Sequence, residues 1–319
     1  MKKTITGTEL LNAAKSAKSA LIIGHMRPDG DCLGAGFAMK HFLQRHGVSV
    51  DFVCDSDKPE HYSFFEDYDS LNNKKLNSYD AVFCVDCGDE KRLGRYGTEL
   101  GKSLSYNIDH HVTNKGYADY NYVVSDASST CELVFDLLDS IGEVDDYTAF
   151  CLYVGLSTDT GHFMHDNTNA KVLLTGSKLL EHNIDASRIV SLLYRNNTVN
   201  KTMLIGRAVR SMKFFHDDKI CVISITANDL QETGCVLADT EGLTDYGMNI
   251  GKVLVTVCIS EQFKSQYKVS FRSKSIDVGK AAAVFGGGGH VKASGCVVNG
   301  HYEDVVRKVV KAVADGFSV

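Results

Sequence analysis

Four times in its first half the chain runs an apolar segment straight into acids or histidines. Residues 20–24 lead into His25, Asp29 and Asp31, and residues 81–85 end in Asp86. Residues 104–108 end in Asp109-His110-His111, and an apolar helix expected over 147–157 ends in Asp159. Burying one carboxylate is costly, and several together repel unless cations neutralise them. A chain patterned in this way has to gather the ends of its elements around positive charge. The H-x-x-x-D-x-D cluster offers hard oxygen and borderline nitrogen donors, which suit ions of the Mg²⁺ or Mn²⁺ type. Four such endings fit a dinuclear site with shared carboxylates. Taken singly, Asp86 and Asp159 are most simply helix caps; it is the repetition that favours ligands.

Strand patterns near 20–25, 48–54, 79–86 and 103–109 alternate with helical ones. This argues an α/β fold, a parallel sheet with flanking helices on both faces and its site at the carboxyl ends of the strands. Thr6-Gly-Thr-Glu9 and Ser129-Thr-Cys-Glu132 read as capping boxes that start helices. The pattern changes after about residue 184. Helices over 187–194 and 199–213 lead into strands at 219–226, 252–259 and 266–272, a helix at 276–285, a strand at 295–298 and a last helix at 302–317. The expected organisation is a metal-binding domain over 1–184, a helical linker over 185–213 and a smaller α+β domain over 214–319.

Composition excludes several roles. Lys and Arg number 34 against 40 Asp and Glu, a net charge of −6. Long nucleic acid gripped through its phosphates calls for a basic excess, so any nucleic-acid substrate is expected to be short or gripped locally. No apolar run reaches membrane-spanning length, and no hydrophobic region follows Met1-Lys2-Lys3. Ten cysteines without a framework spacing suit reduced thiols in the cytoplasm. Cys84-Val-Asp-Cys87 has dithiol spacing, but with no second pair it reads as structural. His162 and His165 flank the Asp159 loop and are expected at the pocket rim. His41, His46, His61, His182, His216 and His301 read as solvated.

In the second half, Gly286, Gly287, Gly288 and Gly289 precede His290, Lys292 and Ser294. Such a run lets backbone N–H groups converge on an anion. It matches neither the P-loop nor the dinucleotide fingerprint. His290 and Lys292 can add charge-assisted hydrogen bonds, and Arg272 a bidentate fork.

Taken in order, these segments resemble the DHH phosphoesterases, named for the triplet present here as Asp109-His110-His111. Ser270-Phe-Arg272-Ser273 with the glycine run resembles the attached DHHA1 substrate domain. The resemblance implies that His25, Asp29, Asp31, Asp86, His110 and Asp159 bind two divalent ions, with Asp86 and Asp159 bridging. Mn²⁺ is the first choice and Mg²⁺ or Co²⁺ the alternatives. It also implies a catalytic pair in which Asp109 supports a neighbouring imidazole and His111 faces the scissile phosphate. Arg272, Gly286, Gly287, Gly288, Gly289, His290 and Ser294 would then hold a phosphate of the substrate.

Within the family the outline is most similar to the bifunctional oligoribonuclease and pAp phosphatase group. That implies hydrolysis of short oligoribonucleotides to mononucleotides and of 3′-phosphoadenosine 5′-phosphate (pAp) to AMP, with a homodimer as one option. A cyclic di-AMP or pApA phosphodiesterase is the alternative. A pyrophosphatase would carry a basic motif in place of the glycine run, and a RecJ-type exonuclease a longer chain. A non-catalytic nucleotide sensor need not keep every metal ligand. Two residues depart from the family pattern: Cys32, where a small residue such as Ala is favoured, and His162.

Overall fold

In the computed structural model, the apolar runs of the first half become a six-stranded sheet in which every ladder is parallel. The structure describes residues 2–289 and 291–318, which leaves His290 outside the described residues. Two units divide the chain, Met1–Asn196 and Asn197–Val319. The first contains, in order, β1 (Lys3–Thr4), α1 (Gly7–Ser16), β2 (Ser19–Ile23), α2 (Gly30–Arg45), β3 (Ser49–Val53) and β4 (Ala81–Val85). It continues through β5 (Leu104–Asp109), β6 (Tyr120–Val123), α3 (Thr130–Asp139), α4 (Asp146–Asp159), α5 (Ala170–Leu179) and α6 (Ala186–Tyr194).

The strand order is β1-β6-β5-β4-β2-β3. The chain leaves β2 in one direction to form β3, then crosses back over β2 to form β4. The order therefore reverses between β2 and β4, and the crevice at such a switch point is where open α/β sheets bind ligands. Register makes the strand ends level, with Ile23 paired to Cys84 and Val85 to Ile108. The central strands are buried on both sides, as parallel strands are.

One face packs on α1 to α4 through Ile22, Phe83, Val85 and Ile108. The opposite face, expected to carry helices, is covered by the 3-10 segment Glu90–Glu99 and by Tyr79, Tyr96 and Tyr117. The β4–β5 connection holds no long apolar-periodic stretch, so no α-helix forms in it.

Two capping boxes were expected. At Thr6 both reciprocal bonds form. At Ser129 only half of the box forms. Its hydroxyl accepts from Glu132 N, while Glu132 Oε2 takes the amide and hydroxyl of Ser128 at 2.7 Å each.

Close contact between α2 and α4 fixes the site. A Cβ on Gly30 would lie 2.5 Å from Thr158 Oγ1, and one on Gly34 would lie 2.4 Å from the Cys151 carbonyl oxygen. Neither position has room for a side chain. The first turn of α2, with Asp31, is thereby held against the last turn of α4, with Asp159.

The second unit contains α7 (Val199–Arg210), β7 (Lys213–Phe215), β8 (Ile220–Ile225), α8 (Ala227–Thr233), α9 (Leu243–Met248) and β9 (Val255–Phe263). It ends with β10 (Gln266–Ser273), α10 (Val278–Ala283), β11 (Gly288–Gly289), β12 (Ala293–Asn299) and α11 (Tyr302–Ala314). Its mixed sheet runs β11-β12-β10-β9-β8-β7, with only β8 and β9 parallel. Helices α10 and α11 cover one face, and α7 with α9 the other. The segment read as a linker divides between the two units. Ile189 of α6 is buried in the first core, whereas Leu204 and Ala208 of α7 belong to the second.

Replacing Gly34 by Val drives two methyl groups into the α4 backbone and should destabilise the protein by about 1–3 kcal/mol. Chemical denaturation monitored by circular dichroism measures this. A midpoint equal to wild type would contradict the packing described.

Candidate metal centre

His25 follows β2 after one residue, Gly24, and is buried. Its Nε2 lies 3.4 Å from Asp86 Oδ2 and 3.7 Å from Asp29 Oδ2. The Met26 carbonyl lies 2.9 Å from Nδ1, and Nε2 is the ring nitrogen that faces the carboxylates. Asp29 is the N-cap of α2. Its Oδ1 accepts from the amides of Asp31 and Cys32, and its other oxygen faces His25.

Asp31 is fully buried on the first turn of α2. Its carboxylate accepts from the amides of Thr130 (2.6 Å) and Cys131 (2.8 Å), so it sits on the positive end of α3. Asp86 directly follows β4 in a left-handed conformation (φ +53°), a region that Asp enters more readily than most residues. The Thr130 hydroxyl donates to Asp86 Oδ1 at 3.1 Å.

At the end of β5, His110 Nε2 lies 3.4 Å from Asp159 Oδ2, 3.6 Å from Asp86 Oδ1 and 3.9 Å from Asp31 Oδ2. Its Nδ1 faces the Ala127 carbonyl at 3.3 Å, again leaving Nε2 for the cluster. His111 Nδ1 donates to Asp109 Oδ1 at 2.7 Å, and Asn114 donates to the other Asp109 oxygen at 2.5 Å. Asp109 therefore holds His111 of its own triplet. The structure thus brings together all eight residues read as site residues in the first half.

Electrostatics agree with a cation requirement. Burial pushes the carboxyl of Asp31 well above the usual carboxylate range, and the charges of Asp86 and Asp29 push it further. Asp159 is raised by burial and then by Asp31, Asp86 and Asp29. Burial alone would lower His25, but the Cys32 sulfur and the carboxylates of Asp29 and Asp86 raise it to about 12. Burial and mutual repulsion thus favour the protonated forms of Asp31 and Asp159. Four carboxylates (Asp29, Asp31, Asp86, Asp159) against two divalent cations balance in charge, and the oxygen and imidazole donors suit such ions. The residues fit the metal that the pattern implies.

Three groups of donor atoms, each within 4.8 Å, could hold an ion: His25 with Cys32 and Asp86, Asp86 with His110 and His111, and Asp31 with His110 and Asp159. Cys32 was noticed in the sequence only as a departure, not as a donor.

Sequence reasoning also missed Arg92, whose Nη2 lies 2.9 Å from His25 Nδ1, together with Thr130 and Asn114. The Ser129 cap was the usable signal for Thr130, because it marks the helix start that supplies the amides. Arg92 lies in the 3-10 segment Glu90–Glu99 and Asn114 in a loop, where no periodicity marks a functional side chain. His165 Nδ1 lies 3.2 Å from the Asp159 carbonyl, and His162 Nδ1 3.2 Å from Ser157 Oγ. His41, read as solvated, instead lies 2.8 Å from Asp145. Cys84 and Cys87 are buried thiols held protonated by burial, and all ten cysteines are unpaired.

In the second unit, Arg272 on β10 is exposed and pairs across to Ala293 of β12. The glycine run is partly strand: Gly288 and Gly289 pair with Gly295 and Ser294. Gly286 turns the chain with φ +74°, and Gly287 lies so near the Gly295 carbonyl that a Cβ would stand 2.2 Å away. Ser294 Oγ donates to the Val278 carbonyl at 2.6 Å. His290 lies outside the described residues. Among the described residues, no helix is long and apolar enough to cross a membrane.

Two family models match the chain: the DHH family N-terminal domain over residues 19–156, and the DHHA1 domain over residues 217–318. The bifunctional oligoribonuclease and PAP phosphatase NrnA of Mycoplasma genitalium is 26% identical, over 96% of this chain and 97% of its own. The Bacillus subtilis protein of that name is 24% identical, over 91% and 93%. The crystal structure of an exopolyphosphatase-related protein from Bacteroides fragilis superposes with a TM-score of 0.90 at 25% identity, covering 97% of this chain and 95% of that one. With two domain models matched in order and the acid–histidine cluster assembled at the switch point, the chain belongs to the DHH family and is a metal-dependent phosphoesterase.

Proposed function

We propose that the protein is a two-metal phosphoesterase that hydrolyses short oligoribonucleotides and pAp. The observation that carries this reading is the convergence of four carboxylates and two imidazoles about Asp86, at the point where the strand order reverses. His25, Asp29, Asp31, Asp86, His110 and Asp159 would hold two divalent ions, Mn²⁺ first. Once bound, such ions lower the pKa of a water and draw charge from the phosphoryl oxygens.

The remaining work falls to the protein's own groups. Asp109 is buried and held by Asn114, so it fixes the His111 ring through Nδ1. The other ring nitrogen is then oriented to meet a non-bridging phosphate oxygen. The amides of Thr130 and Cys131 hold Asp31, and the Thr130 hydroxyl holds Asp86, so these carboxylates need no rearrangement when substrate arrives.

The substrate class is supported by the names of full-length relatives that are bifunctional oligoribonucleases and PAP phosphatases. The absence of a basic excess agrees with short substrates. Arg272, with Gly286, Gly287, Gly288, Gly289, His290 and Ser294 nearby in sequence or in the sheet, is the proposed holder of a second phosphate. Ten unpaired cysteines suit a reducing, cytoplasmic setting.

The deciding assay presents Mn²⁺-loaded protein with pAp, pApA, a short RNA oligomer, cyclic di-AMP, pyrophosphate, polyphosphate and long single-stranded DNA. Hydrolysis of pAp and the short RNA is expected. Turnover confined to pyrophosphate, to polyphosphate or to the cyclic dinucleotide would contradict the proposed substrate class.

Asp86→Ala should lower kcat by about a thousandfold or more, the scale of losing several kcal/mol of metal-borne stabilisation. Wild-type turnover in that variant would sink the ligand assignment. Asp109→Asn should lower kcat by roughly 10–100-fold with little change in KM, because it frees the His111 ring without touching substrate. A rise in KM alone would place Asp109 elsewhere. Arg272→Ala should raise KM for pAp about tenfold, the loss of a charge-assisted hydrogen bond, and leave a simple aryl phosphodiester unaffected. An equal loss on both would remove Arg272 from that role.

A further inference from the structure

The halves of the cluster differ in chemistry. One offers Asp31, His110 and Asp159, with oxygen and nitrogen donors alone. The other offers His25, Cys32 and Asp86, whose ligand atoms lie within 4.8 Å of one another. Cys32 directly follows Asp31 on α2 and is fully buried.

Its sulfur has a built place. A Cβ on Gly24 would stand 2.4 Å from Cys32 Sγ and 2.7 Å from Cys54 Sγ, so the bare backbone just before His25 is what admits the sulfur. A residue serving only to fill that space could be Ala. The thiol adds a donor that Ala lacks. Thiolates select thiophilic ions, whereas carboxylate-rich sets take ions of the Mg²⁺ or Mn²⁺ type.

We propose that Cys32 is a sulfur ligand to the ion held by His25 and Asp86, which gives this half of the site a preference for a thiophilic divalent cation of the Zn²⁺ or Co²⁺ class. A sulfur–metal bond forms as the thiol proton leaves to solvent. The half built from Asp31, His110 and Asp159 keeps the harder ion, and the pair is predisposed to mixed-metal loading. The inference rests on the two-ion reading above.

Co²⁺ titration of the full-length protein tests it by absorption. Wild type and Cys54→Ala should develop a thiolate-to-cobalt charge-transfer band in the near ultraviolet, and Cys32→Ala and Cys32→Ser should lack it. In competition between Cd²⁺ and Mn²⁺, Cys32→Ala should lose about tenfold or more of the preference for Cd²⁺ while still binding Mn²⁺. Wild type that binds two Co²⁺ ions without the band, or a band that survives both Cys32 substitutions, would overturn the sulfur ligand and leave the two-ion reading standing. Wild type that binds neither Co²⁺ nor Mn²⁺ would overturn both.

Discussion

The mutual repulsion of Asp29, Asp31, Asp86 and Asp159 is the constraint on which the first domain depends. Each of these carboxylates lies within 4 Å of His25 or His110, and Asp86 lies within 4 Å of both, at the ends of α2, β4 and α4. Left without cations, such a group recovers only by binding protons, as the upward displacement of Asp31 and Asp159 shows. The fold does not relieve the repulsion by moving the acids apart. It clamps them, through the amides of α3 on Asp31, the Thr130 hydroxyl on Asp86 and the glycine contact of α2 with α4. A site clamped in this way stores a demand for positive charge, and divalent ions meet it.

The same clamps explain how the fold serves the chemistry. A parallel sheet whose order reverses between β2 and β4 opens one crevice at its carboxyl edge, and the level register of β2, β4 and β5 places His25, Asp86 and Asp109-His110-His111 around it. Asp109 acts on a different link from the metal ligands. It orients His111 and leaves the ions to the others.

Much of this was legible in the sequence because charge cost is a local signal. An acid directly after a buried apolar element is costly wherever that element lies, and the repetition of this ending at Asp86, Asp109 and Asp159 is what marks the site in the sequence. Arg92, Thr130 and Asn114 escape that logic, since each is a polar residue in a 3-10 segment, at a helix start or in a loop, and only three-dimensional proximity gives it a role. Cys32 escaped for the opposite reason: a buried cysteine looks like any small core residue until its sulfur is seen beside His25 and Asp86. The sheet was legible from strand alternation, but the cover on its second face was not. Short 3-10 turns and tyrosines leave no periodicity to read. The glycine run likewise gave up its pairing as β11 only in three dimensions, because backbone pairing has no side-chain signature.

The central claim is that the acid–histidine cluster exists to hold two divalent ions. Metal content per chain, measured by elemental analysis after equilibrium dialysis against Mn²⁺, tests it most directly. The account predicts two ions per chain in the wild-type protein and a melting temperature that climbs with ion concentration, since the ions bind the folded state alone. A saturating content of one ion or none, with no gain in melting temperature, would contradict it.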